Sequence, residues 1–333
     1  MAWSFFRVLL TPAGYLPNAS DRARAAGVDP ERHGEQGSAP NEDDKVYGKR
    51  PTAKEVRAFL QTQPLASQPT WIARNDATDG TRYCGICEVT KYDRVHHCSE
   101  VNRCVKKFDH FCPWVGGALG HTRYKFFFQF VTYVAIYSVL LVVTFAVAVG
   151  QRKAAIRRND GTSIPHNVGL WYSCIALGGL FALMMIPFSF FHGRQILLNL
   201  TTLESIAAHD ITVIHQTERT TPSGEKVPIK ERVTLSSGVN PFDLGLWRNW
   251  QQVMGEFKAD RWVVLRVLNW ILPIQQSPGD GLLYPWNPAV LEELARRDTQ
   301  LSVTLLSEST QTAMDNEEAT RAQEKLAAAS PQT

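Results

Sequence analysis

Arg82 to Trp114, RYCGICEVTKYDRVHHCSEVNRCVKKFDHFCPW, holds five of the six cysteines, and a dozen residues beyond it opens the uncharged apolar run Phe126 to Gly150, FFFQFVTYVAIYSVLLVVTFAVAVG. A Cys/His cluster at metal-ligand spacing, then an Asp-His-x-Cys, then a run long enough to cross a bilayer, sets a reactive thiol against a membrane surface. That order of features points to chemistry on lipids or on lipidated proteins.

The rest of the composition agrees with a membrane reading. A second apolar run, Val168 to Phe191, is also long enough to span. The bland alternative for either run is the buried core helix of a soluble protein. Gly178, Gly179 and Pro187 in the second run are poor choices for a soluble helix and are tolerated in lipid. Two spans with one short connection make an antiparallel pair. A formal charge of +3 over 333 residues is too small to imply nucleic acid. Cysteines clustered at Cys-x-x-Cys spacing, with Cys174 alone outside, indicate a metal site in a reducing compartment rather than a disulfide framework, so the cluster is expected to face the cytosol.

Along the chain, residues 1–10, MAWSFFRVLL, are too short to span and carry Arg7; they read as the remnant of a longer transmembrane helix whose beginning is absent. Residues 11–80 read as a polar cytosolic linker, with at most a short helix at Thr52 to Leu60. The cysteine-rich zinc domain follows at 81–123, then spans at 124–150 and 168–192 around a lumenal or extracellular loop, 151–167. Lys and Arg are nearly balanced on the two sides, so thiol chemistry and geometry decide this orientation. A cytosolic segment, 193–276, includes a strand-like pair, Ile211 to Gln216 and Val227 to Leu235. It also includes Arg261 to Ile274, which suits either a membrane surface or a small cytosolic core. Residues 277–333 read as a mostly disordered tail. Asn18 and Asn199 head glycosylation-type triplets but fall on the cytosolic side in this arrangement.

Cys84 and Cys87 form a Cys-x-x-Cys hook that His97 and Cys104 are spaced to complete, and three thiolates with one imidazole suit a closed, structural Zn²⁺ site. His96 is an alternative to His97, and Cys98 is a spare thiol. Asp109, His110 and Cys112 form a second constellation. A thiol is nucleophilic as thiolate, so an imidazole that takes its proton, itself oriented by a carboxylate, is what covalent catalysis needs. The competing reading makes His110 and Cys112 further metal ligands, with Cys98. Pro113 fixes the backbone after the thiol, and Trp114 offers an amphipathic ring to the interface.

These residues resemble the DHHC-type protein S-acyltransferases, integral membrane enzymes that attach palmitate to protein cysteines. The likeness covers Arg82 to Phe130. Thr201-Thr202-Leu203-Glu204 looks like the family's TTxE motif, and Asn240 to Gly255 resembles its C-terminal Asn-containing motif. The resemblance implies an α-helical integral membrane protein: an antiparallel transmembrane helix pair, part of a usual four-helix bundle, with a small cytosolic zinc-bound cysteine-rich domain. It implies that Cys112 is acylated from palmitoyl-CoA, that His110 is the base and Asp109 its orienter, and that Trp114, Thr201, Thr202, Glu204 and Asn249 support the site. Partners would be the lipid bilayer and membrane-associated proteins with cytosolic cysteines, with an accessory subunit left open. Lys91 and Arg94, with Lys106 and Lys107, could meet the CoA phosphates.

Two departures stand out. The tetrapeptide is DHFC, with Phe111 where a second His is usual. The family's second zinc would use the positions held here by Cys98, Val101, Phe111 and Ala118, of which one keeps a ligand. One zinc is therefore expected, with an apolar plug in place of the other. The rival readings are a catalytically silent zinc-stabilised membrane adaptor, a zinc-finger nucleic-acid binder, and a thiol oxidoreductase built on Cys84 and Cys87. The last lacks the strand-helix context such a motif needs.

Overall fold

The computed structural model describes residues 1–18, 21, 70–72, 82–158, 168–207, 211–220, 226–236, 238–257 and 263–297. Two long helices, α2 (Tyr124–Arg158) and α3 (Val168–Leu197), dominate it; both are long and apolar enough to cross a membrane. At 1.5 Å per residue they run to about 52 and 45 Å, beyond the ~30 Å hydrocarbon core of a bilayer. They lie antiparallel: Phe127 near the start of α2 meets Phe188 near the end of α3, while Phe145 meets Trp171. Gly178 permits the close approach at the middle, since a Cβ there would sit 3.1 Å from Val142. Thr132 and Ser189 satisfy each other's hydroxyls between the helices at 2.8 Å. The expected loop at 151–167 is shorter than the sequence suggested, because α2 continues as helix through Arg158. Residues 151–158 contain Ala and Arg and neither Gly nor Pro, so nothing in them stops the helix.

The cysteine-rich segment is a stack of small hairpins. Strands β2 (Tyr83–Cys84) and β3 (Val89–Thr90), β4 (His96–Cys98) and β5 (Arg103–Val105), and β6 (His110–Cys112) and β7 (Gly117–Leu119) pair antiparallel. The short helix α1 (Ala2–Leu10) packs along α2, with Phe5 against Phe130 and the Arg7 guanidinium 4.5 Å from the centre of the Phe126 ring. Residues 11–16 are not free linker. Leu16 N–H donates to Cys104 C=O, Lys106 N–H donates to Gly14 C=O, and Ala13 and Leu16 are buried, so this stretch edges β5. The short helix expected at Thr52 to Leu60 lies outside the described residues.

After α3, the five-residue helix α4 (Thr202–Ile206) is closed by a capping box between Thr201 and Glu204. The strand-like pair appears as β8 (Thr212–Thr220) and β9 (Lys226–Thr234), joined by β1 (Thr70–Ile72) in the order β1-β8-β9. Helices α5 (Leu246–Met254) and α6 (Val263–Ile271) follow. Residues 277–297 depart from the expected disordered tail. Tyr284 is buried, and a helix over 288–297 sets Val290 and Leu294 into a core with Val213, Val233 and Leu235. Burial of these few apolar side chains, worth roughly 1.5–3 kcal/mol each, orders a stretch whose average composition is polar.

Candidate active site

Cys84, Cys87, His97 and Cys104 converge, with their ligand atoms all within 4.8 Å of one another. His97 Nδ1 lies 3.5 Å from Cys84 Sγ and 3.3 Å from Cys87 Sγ. A tetrahedral Zn²⁺ with bonds near 2.3 Å to sulfur and 2.0 Å to nitrogen separates its ligands by about 3.5–3.8 Å, so the donor set fits the ion. The β4–β5 register makes the site, setting His97 directly across from Cys104. His97 rather than His96 faces the thiols; His96 turns toward Phe108. A hydrogen bond from Cys104 holds the Cys84 thiol down at about 4, while that same bond pushes Cys104 far up. Burial, then the Cys84 charge, raises Cys87. Three clustered sulfurs thus resist joint ionisation unless a cation is shared among them, which is what Zn²⁺ supplies.

The second constellation is bonded into one strand. His110 Nδ1–H donates to Asp109 Oδ2 at 2.8 Å. Asp109, 2% exposed, also accepts Thr202 N–H and Thr202 Oγ1–H, each at 2.8 Å. Burial works to raise its pKa, but the bonds from His110 and Thr202 outweigh it and hold the carboxyl below the usual carboxylate range. Burial likewise works to lower His110, and the bonds to Asp109 and Cys112 overcome it, bringing the imidazole to about 9. Cys112 falls below an ordinary thiol: burial opposes this, and His110 with the backbone N–H groups of Trp114 and Val115 wins. Those N–H groups belong to the 3-10 turn Pro113–Val115 that starts directly after the thiol. With Nδ1 committed to Asp109, Nε2 is the nitrogen of His110 left to serve Cys112. Trp114 projects outward, 89% exposed.

Behind Asp109 sits a knot that the sequence did not announce. Arg94, expected near CoA phosphates, is 1% exposed and forms a two-pronged pair with Glu204, at 2.8 and 2.6 Å. It also donates to Asn199 Oδ1 at 2.8 Å and to Asn199 C=O at 3.0 Å. A guanidinium so engaged has no face to offer a solvent phosphate, which corrects that expectation. Lys91 stays half-buried beside the zinc hairpin and donates its N–H to Arg82 C=O. Lys107 is buried in the same knot, against Asn199 Oδ1 and over the Tyr284 ring; burial, then the Arg94 charge, brings its ammonium down to about 7. Asn199 ends α3 at φ +49°, a left-handed position Asn accepts, and its amide reaches Phe242 C=O and Gln252 Oε1. An Asn just past a long helix and two residues before a Thr-Thr was the available signal for this role. Asn249, fully buried, accepts from Leu244 N–H and donates to Leu197 C=O and Asp243 Oδ1, so it caps the end of α3 as a brace would.

His192 is a further residue that sequence reading passed over. It stacks on His110 with ring centroids 6.0 Å apart and accepts or donates at Tyr124 OH, 3.1 Å away. Cys98, Val101, Phe111 and Ala118 do meet, in an apolar cluster with Ala13, Val105, Tyr15 and Phe108. Phe111 lies directly across from Ala118, and the Cys98 thiol bonds Glu100. Among the described residues, no ligand cluster other than that of Cys84, Cys87, His97 and Cys104 could hold a metal.

The chain is 34% identical over 229 residues to palmitoyltransferase pfa5 of Aspergillus fumigatus, covering 59% of this chain and 48% of that one. It is 31% identical over 242 residues to palmitoyltransferase ZDHHC15 of Rattus norvegicus, covering 73% and 60%. Against palmitoyltransferase ZDHHC20 of Mus musculus it is 32% identical over 216 residues, covering 64% and 51%. The chain therefore spans about half the length of the curated relatives it matches. Residues 77–209, which hold the cysteine module, both long helices and Thr202, match the family model described as DHHC palmitoyltransferase.

Proposed function

We propose that this chain is a protein-cysteine S-palmitoyltransferase that works through an acyl-enzyme on Cys112. The observation that carries the reading is the single hydrogen-bonded line from Thr202 through Asp109 to His110, ending at a thiol whose pKa is depressed.

In the first step the Cys112 thiolate attacks the carbonyl carbon of palmitoyl-CoA. A carbon–sulfur bond forms to Cys112, the bond to the CoA sulfur breaks, and the leaving thiolate takes the proton from His110. In the second step His110 accepts the proton of a substrate cysteine, whose thiolate attacks the Cys112 thioester; Cys112 leaves as thiolate and the resting pair is restored. Thioester is exchanged for thioester, so the protein supplies proximity and proton management. Asp109 keeps Nδ1 of His110 occupied throughout. Phe127, Phe130 and Met185 gather with Cys112 in one apolar cluster, which supports their lining the acyl chain. Each CH₂ kept from water contributes about 0.8 kcal/mol.

Cys84, Cys87, His97 and Cys104 would hold one Zn²⁺, which would supply structural cross-linking of the hairpins. The apolar cluster of Val101, Phe111 and Ala118 stands in for a second. We place α2 and α3 across an endomembrane or plasma membrane, in a multi-pass arrangement with the cysteine module on the cytosolic face, where substrate cysteines and acyl-CoA are found.

The test is labelling of membranes holding this chain with an alkyne palmitoyl-CoA analogue. A hydroxylamine-labile label on the wild type, lost in Cys112→Ser, is expected. A wild type that takes no label while keeping its zinc would favour the non-catalytic adaptor.

A further inference from the structure

His192 sits near the end of α3, 1% exposed, with its ring face toward His110: centroids are 6.0 Å apart and the planes 29° from parallel. Its edges are enclosed. Phe188 stands at 4.6 Å and 87°, Phe127 at 5.1 Å and 87°, and Phe191 at 5.2 Å and 83°. Nδ1 is joined to Tyr124 OH, and Nε2 has no hydrogen-bond partner among the described residues. What His192 presents to His110 is therefore its face and no hydrogen bond. Phe127 also lies edge-on to His110, at 5.7 Å and 74°, so one ring wedges both imidazoles.

We propose that His192 is a positioning residue for the transfer chemistry: its ring, fixed by Tyr124 and the phenylalanine cage, holds the His110 imidazole in the orientation that serves Asp109 and Cys112 together. His110 is 28% exposed on a three-residue strand even with that face in place; without it the ring keeps the Asp109 and Cys112 bonds and the Phe127 edge but loses the neighbour that lies along its plane. A near-parallel ring about 6 Å away also lies at the distance where an aromatic face favours a neighbouring cation, here the imidazolium. The groups around His110 are Asp109 and Cys112 on its own hairpin, His192 from α3 and Tyr124 from α2. Arg94, Glu204 and Lys107 stand behind Asp109.

The inference rests on the acyl-enzyme reading, and its test reads the thiol instead of the transfer. Iodoacetamide alkylation of Cys112 in the full chain, followed by peptide mass spectrometry, is measured against pH, with zinc content as the check on folding. His192→Ala is expected to move the midpoint upward by about one unit, a tenfold loss of thiolate below it. The double variant Tyr124→Phe with His192→Phe keeps both rings and orphans neither polar partner, and is expected to restore most of that shift. A His192→Ala chain with full zinc and the wild-type midpoint overturns the proposal. So does a double variant displaced as far as His192→Ala, because the nitrogens and not the ring would then be at work. Should His192→Ala lose zinc, His192→Leu, which fills the space without an aromatic face, is read in its place. Failure of the acyl-enzyme reading would show separately, as a wild type that alkylates with a lowered midpoint yet takes no acyl label.

Discussion

Thr202 gives both its backbone N–H and its hydroxyl to the Asp109 carboxylate, at 2.8 Å each, across 93 residues of sequence. The start of α4 therefore orients the strand that carries His110 and Cys112. The capping box closing α4 uses Glu204, whose other bonds go to Arg94, so cap, ion pair and carboxylate form one unit.

Thr202→Ala removes the hydroxyl donor and leaves Asp109 Oδ2 with His110 alone. Hydrogen bonds to charged groups are worth about 1.5–3 kcal/mol, so initial acylation of Cys112 should fall by tenfold or more. Thr202→Ser, which keeps the donor, should retain most of the rate; equal losses in the two variants would count against the clamp.

The pH dependence follows from two opposed shifts. Cys112 ionises below an ordinary thiol, and His110 keeps its proton to about 9. The thiolate–imidazolium pair thus exists between those limits, and acylation should decline as pH passes about 9, where the leaving CoA loses its proton donor. The stability sign matches: His110, raised above its usual 6.5, contributes fully below 6.5 and loses that contribution as pH rises through about 9. A rate that climbs steadily to pH 10 would show that no proton from His110 is needed.

Arg94→Met leaves the partly buried Glu204 carboxylate, 23% exposed, without its guanidinium partner. Breaking one side of a buried ion pair costs about 3–5 kcal/mol, so thermal unfolding of the detergent-solubilised chain should move well down, with zinc retained until the transition. Arg94→Lys should not rescue it, because an ammonium cannot span both Glu204 oxygens and Asn199 at once.

Elemental analysis of the purified chain should return one zinc. Two would overturn the reading of Cys98, Val101, Phe111 and Ala118 as an apolar plug. Removing the single ion with a strong chelator should unfold the β2–β5 hairpins and abolish labelling of Cys112 together.

The reactive line and the zinc ligands could be read in the chain because their residues lie close in sequence and their types are rare. The two apolar runs were as plain, since length and absence of charge need no partner to be recognised. Arg94 was misjudged for the converse reason. Its companions Lys91, Lys106 and Lys107 suggest a solvated basic face, while Glu204 and Asn199, which bury it, lie more than a hundred residues away. His192 was hidden inside an apolar run, where one imidazole scarcely alters the pattern. The order in 277–297 escaped because Tyr284, Val290 and Leu294 are a few anchors in a polar stretch, and their partners come from β8, β9 and the cysteine module.

The way α6 and its surroundings are fastened to α2 carries a consequence for inheritance. Lys125 donates to Met254 C=O, Gln129 donates to Trp270 C=O and Leu272 C=O, and Arg7 donates to Ile274 C=O. Every acceptor is a main-chain carbonyl, which any residue type provides. Mutation can therefore exchange the exposed side chains of Leu272 and Ile274 while the fastening survives, whereas Met254 and Trp270 are also held by packing against Tyr124, Ile196 and Val253.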